Sequence, residues 1–246
     1  MGLKAAPEDQ ALLLELQDLD TRLQRISNRV KDLPEIATLT ELEAEAQQRR
    51  RALAEQTGVL EDAQAELSRV QADAELVEAR IARDTERLQA TSSVKDVHAL
   101  EQELESLTRR RGELDEIQLI VMERVELEEA SRDGARSALD AVEQKIAETS
   151  ASRDTNAAAL NEERAAVATD RARVAERVPE ALLALYEKQR SRYGIGASHL
   201  RAGVSSASGV ALTATDLNAV RAAAPDDVLL CPDSSAVLVR TEESGL

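Results

Sequence analysis

The sequence predicts a mainly α protein, a long antiparallel coiled-coil hairpin carrying a small α+β head at its C-terminal end. Three observations carry this expectation. Apolar residues recur at alternating spacings of three and four along most of the first 178 positions, the signature of a helical seam. That pattern is interrupted near its middle, at Thr91-Ser92-Ser93, leaving two stretches of nearly equal length. The composition suits long amphipathic helices. Of the 246 residues 32% are charged, and the 43% that are hydrophobic include two tyrosines but no Phe or Trp, the side chains that usually supply much of a compact core.

Leu12, Leu16, Leu19, Leu23, Ile26, Val30 and Leu33 form the first register. Pro34 lacks a helical donor and disfavours the α region at Leu33, so a kink is expected near residue 34. A second register runs from Leu39 to Leu88. Twelve of its fifteen seam positions are apolar, the exceptions being Arg49, Gln56 and Asp84. Ser93, followed three residues later by Asp96, reads as a helix cap with an acidic first turn. The return register runs from Val97 to Ile146 with eleven of fifteen positions apolar, then thins to Leu160, Val167, Val174 and Val178 before Pro179. Folded about a turn near 91–93, seam positions meet when their numbers sum to about 185. Leu88 then meets Val97, Leu60 meets Val125, Leu42 meets Val142, and Gln56 faces Glu128 as a polar layer that fixes register. At ~1.5 Å per residue each arm is about 125 Å long. A parallel dimer of one continuous rod is the alternative; the central break and the matched arms favour the hairpin.

The formal net charge of −16 argues against a general basic surface for duplex DNA. The triplets Arg49-Arg50-Arg51 and Arg109-Arg110-Arg111 read as solvated faces with acidic partners one turn away, rather than as nucleic-acid contacts. Carboxylates on an exposed rod have no pocket to shift their ionisation. Cys231 is the single cysteine and forms no internal disulfide. No apolar run approaches the ~20 residues of a membrane span, and no basic and apolar leader opens the chain, so a cytoplasmic location away from membranes is expected. The sequence has no P-loop, Gly194-Ile195-Gly196 lacks the third glycine of a dinucleotide turn, and Gly203-Val204-Ser205 is no nucleophile elbow. Neither an enzyme nor a cofactor is expected.

Composition changes at Pro179, which divides the chain into a hairpin at 1–178 and a head at 179–246. Pro179 to Tyr193 reads as a short helix ended by Gly194 and Gly196. Leu182, Leu183, Leu185 and Tyr186 form its docking side, while Tyr186, Lys188, Arg190, Arg192, Tyr193 and Arg201 make a local basic and aromatic patch for an acidic partner or a phosphate backbone. Strands are expected at Val210–Leu212, Val228–Cys231 and Ala236–Val239, with a helix from Thr215 to Ala223 capped by Thr213 or Thr215. Two turns share a spacing, Ser205-Ser206-Ala207-Ser208 and Cys231-Pro232-Asp233-Ser234. With cysteine at all four end positions they would read as the paired knuckles of a four-thiolate zinc ribbon.

The whole chain resembles the bacterial family of coiled-coil hairpins that end in a four-cysteine zinc ribbon. The resemblance rests on Leu182-Leu183-Ala184-Leu185-Tyr186-Glu187, Gly194-Ile195-Gly196-Ala197, Asp216-Leu217-Asn218, Asp226-Asp227-Val228, the tail Val237 to Leu246, and Lys95 to Leu107 after the hairpin turn. It implies a zinc-ribbon-like head and a role as a nucleic-acid-binding protein or as a chaperone-like adaptor for flagellar and secretion systems. The departure from the pattern is at the metal. Ser205, Ser208 and Ser234 stand at three of the four ligand positions and only Cys231 remains, so the ribbon is degenerate and no metal is expected. His199, Asp216 and Asp233 have no knuckle spacing that would rescue the site. The expectation is a non-enzymatic coiled-coil adaptor or scaffold whose head binds a protein partner; the alternative is a nucleic-acid-binding protein using the basic stretch 186–201. The head carries six Lys/Arg against eight Asp/Glu, so the coiled coil holds most of the negative charge and repels a polyanion.

Overall fold

The computed structural model describes residues 2–246, and the fold is mainly α with a small C-terminal sheet. Helix α1 spans Pro7–Lys31, with proline in its first turn beside Glu8 and Asp9, where acids and a missing N–H suit the helix start. After a break at Asp32-Leu33, α2 runs from Pro34–Ala90 and α3 from Val94–Arg177. The helices are interrupted at Asp32-Leu33 and at Thr91-Ser92-Ser93. Ser93 Oγ lies 3.5 Å from the Asp96 amide at the start of α3.

By packing, the chain separates into two compact units, Met1–Pro34 with Ser152–Leu246, and Glu35–Ala151. The boundary therefore crosses the arms instead of following the compositional change at 179. The physical reason is that Leu12, Leu13 and Leu16 of α1 are part of the head's core.

Unit 35–151 is the antiparallel pair of α2 and the first part of α3. Ala46, Leu139 and Val142 are buried together, with Leu42, Leu53 and Ile146 against them, which is the register the heptads predict. Gln56 and Glu128 are half-buried, as a seam polar layer requires. The buried Asp84 is met by Arg87 at 3.1 Å and Arg80 at 3.8 Å, so this polar seam position keeps a partner. Ion pairs also cross between the arms: Arg50–Glu143 at 2.7 Å, Arg124–Glu66 at 2.9 Å, and Arg80–Glu103. Other arginines of the triplets pair within their own helix, Arg49 with Glu45, Arg109 with Glu105, Arg110 with Glu113 and Arg111 with Asp115.

In the other unit, Ile26, Leu160 and Val167 continue the helical seam. Beyond it α4, Glu180–Tyr193, lays Leu182 and Tyr186 against Leu12, Leu13 and Leu16 of α1. A four-stranded sheet follows in the order β2-β1-β4-β3, with β1 at Ala197–Arg201, β2 at Val204–Ser205, β3 at Leu229–Leu230 and β4 at Val237–Val239. Strand β1 is parallel to β4 and antiparallel to β2, and β3 is antiparallel to β4. Helix α5, Ala214–Ala222, is capped by Thr213, whose hydroxyl accepts from the Asp216 amide at 3.2 Å. Val210–Leu212, expected as a strand, makes only an isolated bridge from Ala211 to Val204. Strand β1, which pairs with both β2 and β4, is the element the sequence does not announce. Both chain ends join this unit. The Ala5 amide donates to Asp226 O and the Val228 amide to Leu3 O, at 2.9 and 3.0 Å, while a 3₁₀ turn at Glu242–Ser244 hydrogen-bonds to Leu200, Ala202 and Gly203.

Candidate functional site

Three constellations lie in the unit that contains the head. The first is a buried charge network. Asp20 sits on α1 one residue from the seam leucine Leu19 and faces α4. Its carboxylate accepts from Arg171 Nε at 2.7 Å, Arg171 Nη2 at 3.1 Å, Tyr186 Oη at 2.7 Å and Arg190 Nη1 at 3.3 Å. Glu187 closes the network onto Arg171 and Arg190. Four donors on one carboxylate satisfy a charge that would otherwise be costly to bury. Burial, reinforced by the bond to Asp20, pushes the Tyr186 hydroxyl far above the usual phenol range. Because the folded state holds this proton more tightly than the unfolded chain, its contribution to stability is complete below pH 10 and declines as pH rises above that value. We expect an ultraviolet titration to show one of the two tyrosines failing to ionise until the chain unfolds. Two equal phenolate steps in the folded protein would contradict the network.

The Tyr186 ring in turn rests on Gly196. A Cβ at that position would stand 2.5 Å from the ring, and the Gly196 and Ala197 amides both donate to Gln17 Oε1, at 2.8 and 3.2 Å. The stretches Leu182–Glu187 and Gly194–Ala197 thus serve to seat the head on α1. Gly196→Ala is expected to lower stability by about 1–3 kcal/mol through overpacking, read as a shifted denaturation midpoint. An unchanged midpoint would mean the ring has room to move.

The second constellation is the pair of turns singled out by their spacing. They are the same structure twice. The Ser205 amide donates to Val210 O at 3.1 Å, and the Cys231 amide to Ala236 O at 2.8 Å. Gly209 N donates to Ser205 O, and Ser235 N to Cys231 O, at 2.8 and 2.9 Å. The Val210 amide reaches Ser208 Oγ at 3.3 Å, and the Ala236 amide reaches Ser234 Oγ at 3.4 Å. Gly209 and Ser235 occupy equivalent places with φ of 68° and 59°. Between the turns Cys231 Sγ lies 3.4 Å from Ser205 Oγ, and Ser205 is 2.7 Å from Ser198 Oγ. All three of these side chains are buried. Burial pushes the Cys231 thiol up, but hydrogen bonds with the Ser205 and Ser234 hydroxyls and with the backbone amides of Ser234 and Asp233 outweigh it, and the thiol titrates below its ordinary value.

These donors do not suit a tetrahedral zinc ion. Neutral hydroxyls replace three thiolates, Ser205 is engaged with Ser198 and Cys231, and Ser208 and Ser234 close their own turns. Among the described residues no group of three His, Cys, Asp or Glu is arranged to hold a metal. His199 is turned to Thr241 Oγ1 at 2.7 Å.

The third constellation is the basic stretch, which the structure divides. Tyr186 is fully buried and Arg190 is held by Asp20 and Glu187. Both belong to the network under the head, Tyr186 with no exposed surface and Arg190 half-buried. Arg201 pairs with Glu243 at 2.7 Å. Lys188, Arg192 and Tyr193 are exposed on α4, with the Arg192 guanidinium 5.3 Å from the Tyr193 ring centre.

Arg240 is a residue that the spacing arguments passed over. Its guanidinium donates to five carbonyls, of Val220, Ala223, Ala224, Pro225 and Asp227, at 2.7–3.4 Å. It gathers the end of α5 and the approach to β3 onto β4. No helix is long and apolar enough to cross a membrane among the described residues.

A model of the CT398-like coiled coil hairpin domain matches residues 16–194. The uncharacterized proteins MT2288 and Rv2229c, from two strains of Mycobacterium tuberculosis, are each 31% identical over 241 residues, 98% of this chain and 98% of theirs. A solved structure from Mycobacterium smegmatis is 34% identical with a TM-score of 0.87, covering 97% of this chain and all of that one. CT398 from Chlamydia trachomatis is similar in fold, at 19% identity and a TM-score of 0.64, covering 94% of this chain and 97% of its own.

Proposed function

The chain belongs to the CT398-like coiled coil hairpin family, and within it we propose a non-enzymatic adaptor or scaffold whose metal-free, ribbon-derived head binds a protein partner. One observation carries this reading. Tyr186 and Arg190 of α4 are engaged with Asp20 of α1, while Lys188, Arg192 and Tyr193 near the C-terminal end of α4 face solvent. A cleft of about 570 Å³ near α5 has Arg221 and Arg240 as its charged side chains, and a second of about 470 Å³ is lined by Asp18, His199 and Arg201, of which His199 is held by Thr241 and Arg201 by Glu243. An exposed cationic helix end suits an acidic patch on a partner.

The test is cross-linking with mass spectrometry on the full chain in its own cells. A partner captured by the native protein and lost on combining Lys188→Glu with Arg192→Glu supports the reading. A partner retained by that variant overturns the assignment to α4. The exposed stacking of Arg192 on Tyr193 supports a second reading, a single-stranded nucleic acid held by charge and base stacking. Electrophoretic shift at several salt concentrations separates the two: a shift abolished by the same substitutions favours nucleic acid.

A further inference from the structure

Five of the twelve exposed large hydrophobic residues among those described fall between positions 117 and 127 of α3. Leu119, Ile120 and Leu127 are 63%, 66% and 69% exposed, whereas Leu114 and Val121 of the same stretch are buried in the seam. At 3.6 residues per turn, Ile120 and Leu127 lie on one line along the helix, with Leu119 beside them and the seam residues on the other side. The same line carries Glu116 and Glu123, with Glu123 one turn from each of Leu119, Ile120 and Leu127, and Glu126 lies two turns along from Leu119 on its side of the face. These three carboxylates have no ion pair among the described residues, whereas Glu113 and Asp115 nearby are held by Arg110 and Arg111.

We propose that this outer face of α3 docks an amphipathic helix of a partner protein whose apolar stripe is flanked by lysine or arginine. The patch is a stripe two turns long parallel to a helix axis, the shape read by side chains at i, i+3, i+4 and i+7 of a partner helix. Free carboxylates interleaved with leucine and isoleucine select cationic flanks. A second copy of this chain would bring the same carboxylates against them, on a molecule of net charge −16, so it is the poorer occupant. The surface lies in the unit 35–151 and stands independently of the head's partner.

The probe is a helical peptide of leucine and lysine with the leucines on one face, titrated into the full chain, with a leucine and glutamate peptide of the same pattern as control. The lysine peptide binds, the glutamate peptide does not, and raising salt from about 50 to about 500 mM weakens binding severalfold. Combining Leu119→Gln, Ile120→Gln and Leu127→Gln weakens it at least about tenfold, while Leu76→Gln, at an exposed leucine of α2, leaves it unchanged. Glu116→Gln with Glu123→Gln weakens it and flattens the salt dependence. Equal binding by the triple glutamine variant, binding of the glutamate peptide, or self-association of the native chain abolished by the triple variant would each overturn the proposal. All these positions are on the surface, and unchanged circular dichroism melts verify that the variants fold.

Discussion

Combining Ser205→Cys, Ser208→Cys and Ser234→Cys is expected to give a head that binds one zinc ion tightly, with its backbone unchanged. The two turns already repeat one another bond for bond, down to the left-handed residue at Gly209 and Ser235. Cys231 already sits against Ser205, with amides of its own turn directed at the sulfur. What the native side chains lack is thiolate chemistry. Structural zinc on four thiolates is worth on the order of 10–16 kcal/mol in small domains, so chelation should unfold the variant's head or lower its melting temperature sharply, while the native head should be indifferent to chelators. Elemental analysis decides the matter. Stoichiometric zinc in the native protein, or none in the triple variant, would show that the turns are not a relaxed metal knuckle.

Asp20→Ala should destabilise the unit built from α1, α4 and the sheet by roughly 3–5 kcal/mol, the usual consequence of leaving buried partners of a lost charge unpaired. Arg171 would retain only Glu187, and the Tyr186 hydroxyl would lose its acceptor. Hydrogen exchange should speed up most in α4 and β1, and a denaturation curve that is single in the native protein should shift or split. The combination of Asp20→Asn with Tyr186→Phe should cost less than the sum of its parts, because it removes both ends of one bond. A loss below about 1 kcal/mol for Asp20→Ala would mean that water replaces the carboxylate.

The helical arms were legible because a heptad seam repeats one physical demand many times, and single exceptions such as Asp84 do not erase it. The breaks were legible because proline and a run of short polar residues have local effects. The head was read less well. Strand β1, Ala-Ser-His-Leu-Arg, has no β-branched residue and buries small side chains on both faces, so neither alternation nor propensity marks it. Val210–Leu212 looked like a strand because two apolar residues flank an alanine, yet its neighbours are claimed by the turn before it. Asp20 looked like an ordinary surface charge on a coiled coil; nothing local says that a helix more than 150 positions away covers it. Tyr186 and Arg190, one turn apart, share the side of α4 that meets Asp20, whereas Lys188 and Arg192 lie on the other side, a separation that proximity in sequence hides.

The tie between Lys4 and Asp226 spans 222 positions, and the unit it belongs to is assembled from the two ends of the chain. During vectorial synthesis α1 emerges well before its partners, and its leucines stay partly uncovered until β4 has left the ribosome. The segment 35–151 is a compact unit of its own, which favours its completion meanwhile. The head is therefore expected to become native last, and until it does the apolar side of α1 is open to aggregation.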